Sequence, residues 1–405
     1  MPRIKLLNRK YLKTMINTIG TPDIKVITGV RRSGKSKLLE LFKKYIMINI
    51  ENYNIIYINL SELKFEDYKE YHKLYNYVTN NFEKNKKNFL LIDEIQMCKG
   101  FELAINSFHA EEKYDIYITG SNAFLSSNDL ATLFTGRIFE INIYPFSFKE
   151  YCQYYELNNI DNAFEDYLID GGMSGSYLYN NESEKKDYIS DIFRTLIVRD
   201  IIQKYNIKNE QLLYKLNDFL IDNISILTST RKLTETLNNN KENTNHITIG
   251  NYINYLCNAY MYYKIKRYDI QGKMYLTSQD KYYLVDQSFK YALLGKKNIN
   301  TGSVFENIVA IELLRRGYEL YVGVLYNSEV DFVAIKRDEK KYIQVSKDIS
   351  DKETFEREVK PLLQIKDAYP KYIIARTKED IYTYEGIQII DIARWLISEE
   401  WYLWA

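Results

Sequence analysis

The sequence predicts an α/β protein: a parallel sheet carrying a phosphate-binding loop, a largely helical stretch after it, and a smaller α/β unit at the end. Three observations predict this. Gly29-Val30-Arg31-Arg32-Ser33-Gly34-Lys35-Ser36 fits G-x-x-x-x-G-K-[ST] and lies between an apolar strand and a helical run, the setting that gives the pattern meaning. Continuous apolar runs alternate with helical patterns up to Pro145, as in a parallel sheet covered on both faces. The residues suited to phosphate chemistry fall at the carboxyl ends of the predicted strands, where ligands bind in such sheets.

In order, residues 9–19 read as a helix, 24–28 as the first strand and 37–45 as the helix after the loop, with Leu38, Leu39 and Phe42 on one side. Strands are expected at 55–60, 89–94, 115–122 and 138–144, with helices at 65–83 and 105–110 between them. Pro145 closes the series. Helices follow at 148–155, 163–169 and 185–205, broken by Gly171-Gly172-Met173. Helices at 211–221, 231–237 and 249–258, then paired strands at 262–268 and 273–277, give the outline of a winged helix-turn-helix. The last unit starts near Val304 with a helix, strands at 319–326, 330–336 and 341–346, a helix at 353–368 and a strand at 372–375.

Composition narrows the function classes. The 405 residues suffice for two or three domains. A net charge of +1 argues against a global field for nucleic acid or membrane, so any such surface is local. Tyrosine is abundant, 39 residues, which reads first as a compositional bias. Cys98, Cys152 and Cys257 are too far apart for a disulfide framework or a C-x-x-C zinc site, and fit a reducing compartment. There is no apolar run of about 18 residues and no signal-peptide core, so the expectation is a cytoplasmic protein without a membrane span.

The loop brings specific chemistry. Its glycines let successive N–H groups turn inward toward phosphate oxygens, and the following helix adds the positive end of its dipole. Gly29 through Ser36, with Lys37, are the expected nucleotide contacts. Lys35 would reach the β- and γ-phosphates of ATP and Ser36 would hold Mg²⁺. Asp93 and Glu94 end a continuous apolar strand, Asp93 as an oxygen donor to Mg²⁺ and Glu94 as the base for the attacking water. Ser121 and Asn122 end the next strand, where a short polar side chain can orient water or touch the γ-phosphate.

From 225 to 275 there are seven Lys/Arg, including Lys264, Lys266 and Arg267 on the ribbon, against three acids, a net +4. That fits phosphate contact with DNA. The candidate recognition helix, 249–258, has no Lys or Arg, so backbone contact is favoured over base reading.

The loop with its twin arginines, Leu91-Ile92-Asp93-Glu94-Ile95-Gln96, Ile118-Thr119-Gly120-Ser121-Asn122, Gly136-Arg137 and Tyr144-Pro145-Phe146-Ser147-Phe148 resemble the AAA-type ATPases of prokaryotes that carry a C-terminal winged-helix and nuclease-like region. Gly171-Gly172-Met173, Arg199-Asp200-Ile201 and Glu329-Val330-Asp331-Phe332-Val333 extend the resemblance over nearly the whole chain. It implies an AAA+ P-loop NTPase core at 1–147, a helical lid at 148–208, a winged helix-turn-helix at 209–295 and a PD-(D/E)xK nuclease-like domain at 296–405. It implies Arg137 as an arginine finger acting on a neighbour's ATP, hence homo-oligomers, and Arg194 or Arg199 as a second sensor. In the last domain Glu306, Asp331 and Gln344 match the nuclease positions. The lysine expected two residues after Gln344 is replaced by Ser346, and Lys347 falls on the other strand face, so the site reads as degenerate. The function expected is Mg²⁺-dependent ATP hydrolysis coupled to DNA. The alternative is an ATP-switched DNA- or protein-binding scaffold with slow turnover and an inactive nuclease-like domain.

Overall fold

The computed structural model describes residues 7, 9–120, 127–239, 242–272, 274–296, 299–326 and 328–398. The chain divides into two compact units. Unit 1 comprises Met1–Tyr144, Thr195–Asn206 and Asn258–Tyr260, and unit 2 comprises Pro145–Arg194, Ile207–Cys257 and Met261–Ala405.

In unit 1, α1 (Lys10–Asn17) precedes β1 (Ile24–Thr28), α2 (Lys35–Asn49), β2 (Tyr53–Asn59), α3 (Tyr71–Asn80) and β3 (Lys87–Asp93). Then come α4 (Phe101–Ala110), β4 (Tyr114–Thr119), α5 (Ser127–Phe134) and β5 (Ile138–Asn142). The strands form one parallel sheet in the order β2-β3-β4-β1-β5. Alternation along each strand feeds two cores. Ile24, Val26, Ile58, Leu90, Ile92 and Ile118 pack with Leu74 and Val78 of α3, Ile105 and Phe108 of α4, and Phe134 of α5. Ile27, Leu39, Phe42 and Tyr117 are buried as well, with the Phe42 and Tyr117 rings 4.5 Å apart. Burial on both faces is why the central strand β3 reads as an unbroken apolar run over 89–92.

The helix expected at 65–83 is interrupted. A 3-10 turn, Leu63–Tyr68, is separated from α3 by an extended step, where Lys99 N–H donates to Lys69 O (2.8 Å) and Tyr71 N–H donates to Lys99 O (3.1 Å). Those distant bonds take backbone groups that a continuous helix would need. The helix expected at 185–205 also changes character, becoming π-helical over Leu196–Gln203, and this part belongs to unit 1.

Unit 2 contains α6 (Phe148–Tyr155), α7 (Ile160–Asp170), α8 (Glu182–Thr195, to Arg194), α9 (Glu210–Asp222), α10 (Thr230–Asn239) and α11 (His246–Asn258, to Cys257). The ribbon follows as β6 (Tyr262–Asp269) and β7 (Met274–Leu284), then α12 (Ser288–Leu294) and α13 (Thr301–Arg315). The rest is β8 (Glu319–Val324), β9 (Glu329–Lys336), β10 (Glu339–Ser346), α14 (Lys352–Gln364), β11 (Lys371–Ala375), β12 (Tyr382–Tyr384), β13 (Ile387–Asp391) and α15 (Ile392–Ile397).

Its mixed sheet has eight strands in the order β12-β13-β11-β10-β9-β8-β6-β7. Here the structure departs from the sequence expectation. The ribbon does not stand apart as a wing: Lys266 to Asp269 of β6 pair in parallel with Tyr321 to Val324 of β8. The sheet therefore runs across the boundary expected at 295/296. The physical reason is that β6 offers a second edge, and pairing with β8 satisfies its backbone groups. Val330, Val333, Tyr342, Ile373, Ile387 and Ile389 of the sheet pack with Val359 and Leu362 of α14.

Candidate functional site

The loop leaves β1 at Gly29, whose φ is 133°. A Cβ there would lie 2.1 Å from the Ile143 carbonyl oxygen, so only glycine permits this approach. Gly34, with φ 99°, occupies the cap position of α2 in left-handed geometry, and Arg32 is also left-handed at φ 68°. Ser33 N–H donates to Val30 O at 3.2 Å. Arg9 pins the loop from outside it: Nη1 donates to Ser33 O at 2.9 Å and Nη2 to Tyr144 O at 2.8 Å, and the side chain is buried. Lys35 opens α2 and is buried. Its ammonium donates to Gly29 O at 2.7 Å and Val30 O at 3.0 Å. Burial lowers the Lys35 pKa to about 8, against the opposing pull of Glu94.

Asp93 closes β3 and is 1% exposed. Burial pushes its carboxyl pKa up, while hydrogen bonds from Thr119 and Ser36 oppose the shift. Thr119, at the end of β4, donates its hydroxyl to Asp93 Oδ1 and accepts from the Glu94 N–H at 3.2 Å. One threonine thus fixes both acids. Glu94 turns out of the strand in left-handed geometry, φ 58°, and its Oε2 accepts from Gln96 Nε2.

Arg31 reaches from the loop to the π-helical segment. Its Nε and Nη2 donate to Asp200 Oδ2 and Oδ1 at 3.1 and 2.9 Å, a two-bond fork onto the π-helical segment. Arg31, Arg32, Ser36, Asp93, Glu94 and Arg199 all line one cavity of about 800 Å³ within unit 1, at the upper end of the usual range for ligand pockets. Ser36 and Asp93 are the oxygen donors that could hold Mg²⁺ there. Buried Ser33 Oγ has no partner among the described residues, an orphan donor in the loop that fits a phosphate group.

The other expected residues divide. Val30 is fully buried, so only its backbone is available to a ligand. The Lys37 side chain is exposed and paired with Glu40 at 2.8 Å, away from the loop. Ser121 and Asn122 lie outside the described residues. Arg137 is exposed just before β5, beside the start of β1, and therefore at the opposite end of the strands from the loop. Arg194 is exposed, 3.6 Å from Asp191. Sequence reasoning missed Arg9 and the partnerships of Gln96 with Glu94 and of Arg31 with Asp200. Thr119 was visible as the last residue before Gly120, and Asp200 stood inside a quoted motif.

In unit 2 the nuclease-like positions come together in part. Glu306 and Asp331 both face the ammonium of Lys281, which lies on β7 and not on β10. Gln344 adjoins Asp331 through the backbone: its Oε1 accepts from the Asp331 N–H at 3.3 Å and its Nε2 donates to Glu358 at 2.8 Å. Ser346 donates to the Asp348 carbonyl, and Lys347 is exposed.

A family described as an AAA domain matches residues 21–152, and one described as a domain of unknown function (DUF8612) matches 161–300. An uncharacterized protein of Haemophilus influenzae is 36% identical over 98% of this chain and 100% of its own length. An uncharacterized protein of Methanocaldococcus jannaschii is 29% identical over 88% of this chain and 81% of its own. Among solved structures, the Aeropyrum pernix ORC1 protein in complex with DNA aligns over 77% of this chain and 95% of its own at 10% identity, with a TM-score of 0.30. The parallel sheet, with its order and flanking helices, matches the P-loop AAA+ fold. Among the described residues no helix is long and apolar enough to cross a membrane. By its identity to the Haemophilus influenzae protein across both chains, the chain belongs to the same family as that protein, with an AAA domain at residues 21–152.

Proposed function

We propose that the protein binds ATP with Mg²⁺ and hydrolyses it to ADP and phosphate. The observation that carries this reading is the convergence of Ser36, Asp93 and Glu94 on one cavity beside the buried ammonium of Lys35. The N–H groups of the loop would hold the phosphates, with Lys35 supplying positive charge at the β- and γ-positions. Ser36 and Asp93 would hold Mg²⁺, which when bound neutralises developing phosphate charge. A carboxylate oxygen of Glu94 would take the proton of the attacking water, and Asn122 would orient that water.

Arg137 is assigned to a neighbouring copy's site. Five residues of β5 rise about 17 Å, which takes Arg137 beyond the reach of its own loop. A homo-oligomer would bring it to a neighbour's transferring phosphoryl group. The 148–208 stretch is proposed as the lid, with Arg199 lining the cavity as its nucleotide-sensing residue. DNA is the proposed partner of the 209–295 region, through the exposed Arg231, Lys232 and Lys266. Lys264 contributes less, because it pairs with Asp280 at 2.8 Å.

A second reading, an ATP-switched scaffold with slow turnover, draws support from the Gln96 bond to Glu94, which occupies an oxygen of the proposed base. The ATPase rate with and without duplex DNA, together with molar mass in ATP, separates the two. Turnover stimulated many-fold by DNA, and lost in Lys35→Ala, is the expected result. Slow turnover indifferent to DNA favours the scaffold, and hydrolysis unchanged in Lys35→Ala removes both.

A further inference from the structure

Lys281 is among the most deeply buried cations of the molecule, its side chain 6% exposed. Carboxylates from two elements surround its ammonium: Glu306 Oε1 of α13 at 3.0 Å, and Glu329 Oε1 and Asp331 Oδ1 of β9 at 3.0 and 3.5 Å. Two of the acids, Glu306 and Asp331, are also held by partners other than the lysine. Tyr283 donates its hydroxyl to the same Glu306 Oε1 at 2.7 Å, and Val345 N–H donates to Asp331 Oδ2 at 2.8 Å. Three acids converging on one point, with Glu306 and Asp331 little exposed and Glu329 30% exposed, repel each other and favour a positive charge among them. The burial of Glu306 and Asp331 raises both carboxyl pKa values, Asp331 to about 8.

We propose that Lys281 is the resident cation of the Glu306, Glu329 and Asp331 cluster, and that its ammonium stands where a divalent metal would have to bind. The reasoning is one of space and charge. A divalent cation needs oxygen ligands at about 2.0–2.6 Å, and the nearest oxygens here are already shared with an ammonium. Metal binding would have to expel a buried lysine from all three of its carboxylate partners. The lysine comes from a ribbon strand and the acids from α13 and β9, so the ion cluster ties β7 to the strands and helix of the same sheet. On this proposal the nuclease-like site is closed by a lysine, and its role is to hold the fold.

The test is Mn²⁺ binding to the full chain without nucleotide, followed by electron paramagnetic resonance. The wild type and Asp331→Asn are expected to bind Mn²⁺ identically. Lys281→Met is expected to gain one Mn²⁺ per chain over the wild type, and Lys281→Met combined with Asp331→Asn to lose it again. A wild-type Mn²⁺ site, or Mn²⁺-dependent plasmid nicking, that Asp331→Asn abolishes would overturn the proposal. So would a folded Lys281→Met that gains no site. Should Lys281→Met fail to fold, the comparison of wild type with Asp331→Asn decides alone.

Discussion

The pH dependence of nucleotide affinity turns on Lys35. Burial brings its pKa from an ordinary 10.5 to about 8. A bound triphosphate favours the charged ammonium, so the pKa rises on binding. Above pH 8 the free protein must then take up a proton to bind, and affinity falls by up to tenfold per pH unit until the bound-state pKa is reached. Between pH 7 and 9.5 the expected loss is about 30-fold. Titration calorimetry with a non-hydrolysable ATP analogue, in buffers of different ionisation enthalpy, reads both the affinity and the proton uptake. Lys35→Arg keeps its charge across the range and should lack the slope. Affinity that stays flat to pH 9.5, or the same slope in Lys35→Arg, would refute the reasoning.

The same shift bears on stability. The folded pKa lies below the unfolded one, so between about 8 and 10.5 the unfolded chain binds more protons and stability rises with pH. The full amplitude is about 3 kcal/mol, and Lys35→Met should lack this rise in urea denaturation.

Other expectations follow from single contacts. Gly29→Ala, whose Cβ would meet the Ile143 carbonyl oxygen at 2.1 Å, should cost about 3 kcal/mol of stability; an unchanged urea midpoint would contradict the described close approach. Asp200→Asn removes the charge that Arg31 forks onto and should cost about 1–3 kcal/mol, read from the same denaturation curves. If Asp200→Asn unfolds with the wild type, the fork contributes nothing to the fold.

The parts of unit 1 that carry the site were legible because of how they are buried. β1 and β3 lie inside the sheet with both faces covered, so 89–92 is a continuous apolar run and 24–28 is apolar except for the buried Lys25 and Thr28. Asp93 and Glu94 were conspicuous as acids ending such a run. Contacts between distant single residues leave no local pattern. Arg9 reaches a carbonyl 24 residues away, and Arg31 reaches an acid 169 residues away. Lys281 could not be connected to Glu306 and Asp331, because a strand of the helix-rich middle region was not expected to join the final sheet. β12 and β13 lie beyond the last strand expected, 372–375, although Ile387, Ile389 and Ile390 of β13 form a short buried run after the turn glycine Gly386.

The most direct measurement of the central proposal is ATP binding and ATP hydrolysis in Glu94→Gln, side by side. The substitution keeps the shape of the side chain and removes the proton acceptor. Binding within a few-fold of wild type with hydrolysis lowered about a hundred- to ten-thousand-fold is the predicted result. Hydrolysis at the wild-type rate, with binding intact, would contradict the assignment of Glu94 as the base and with it the proposed hydrolytic site.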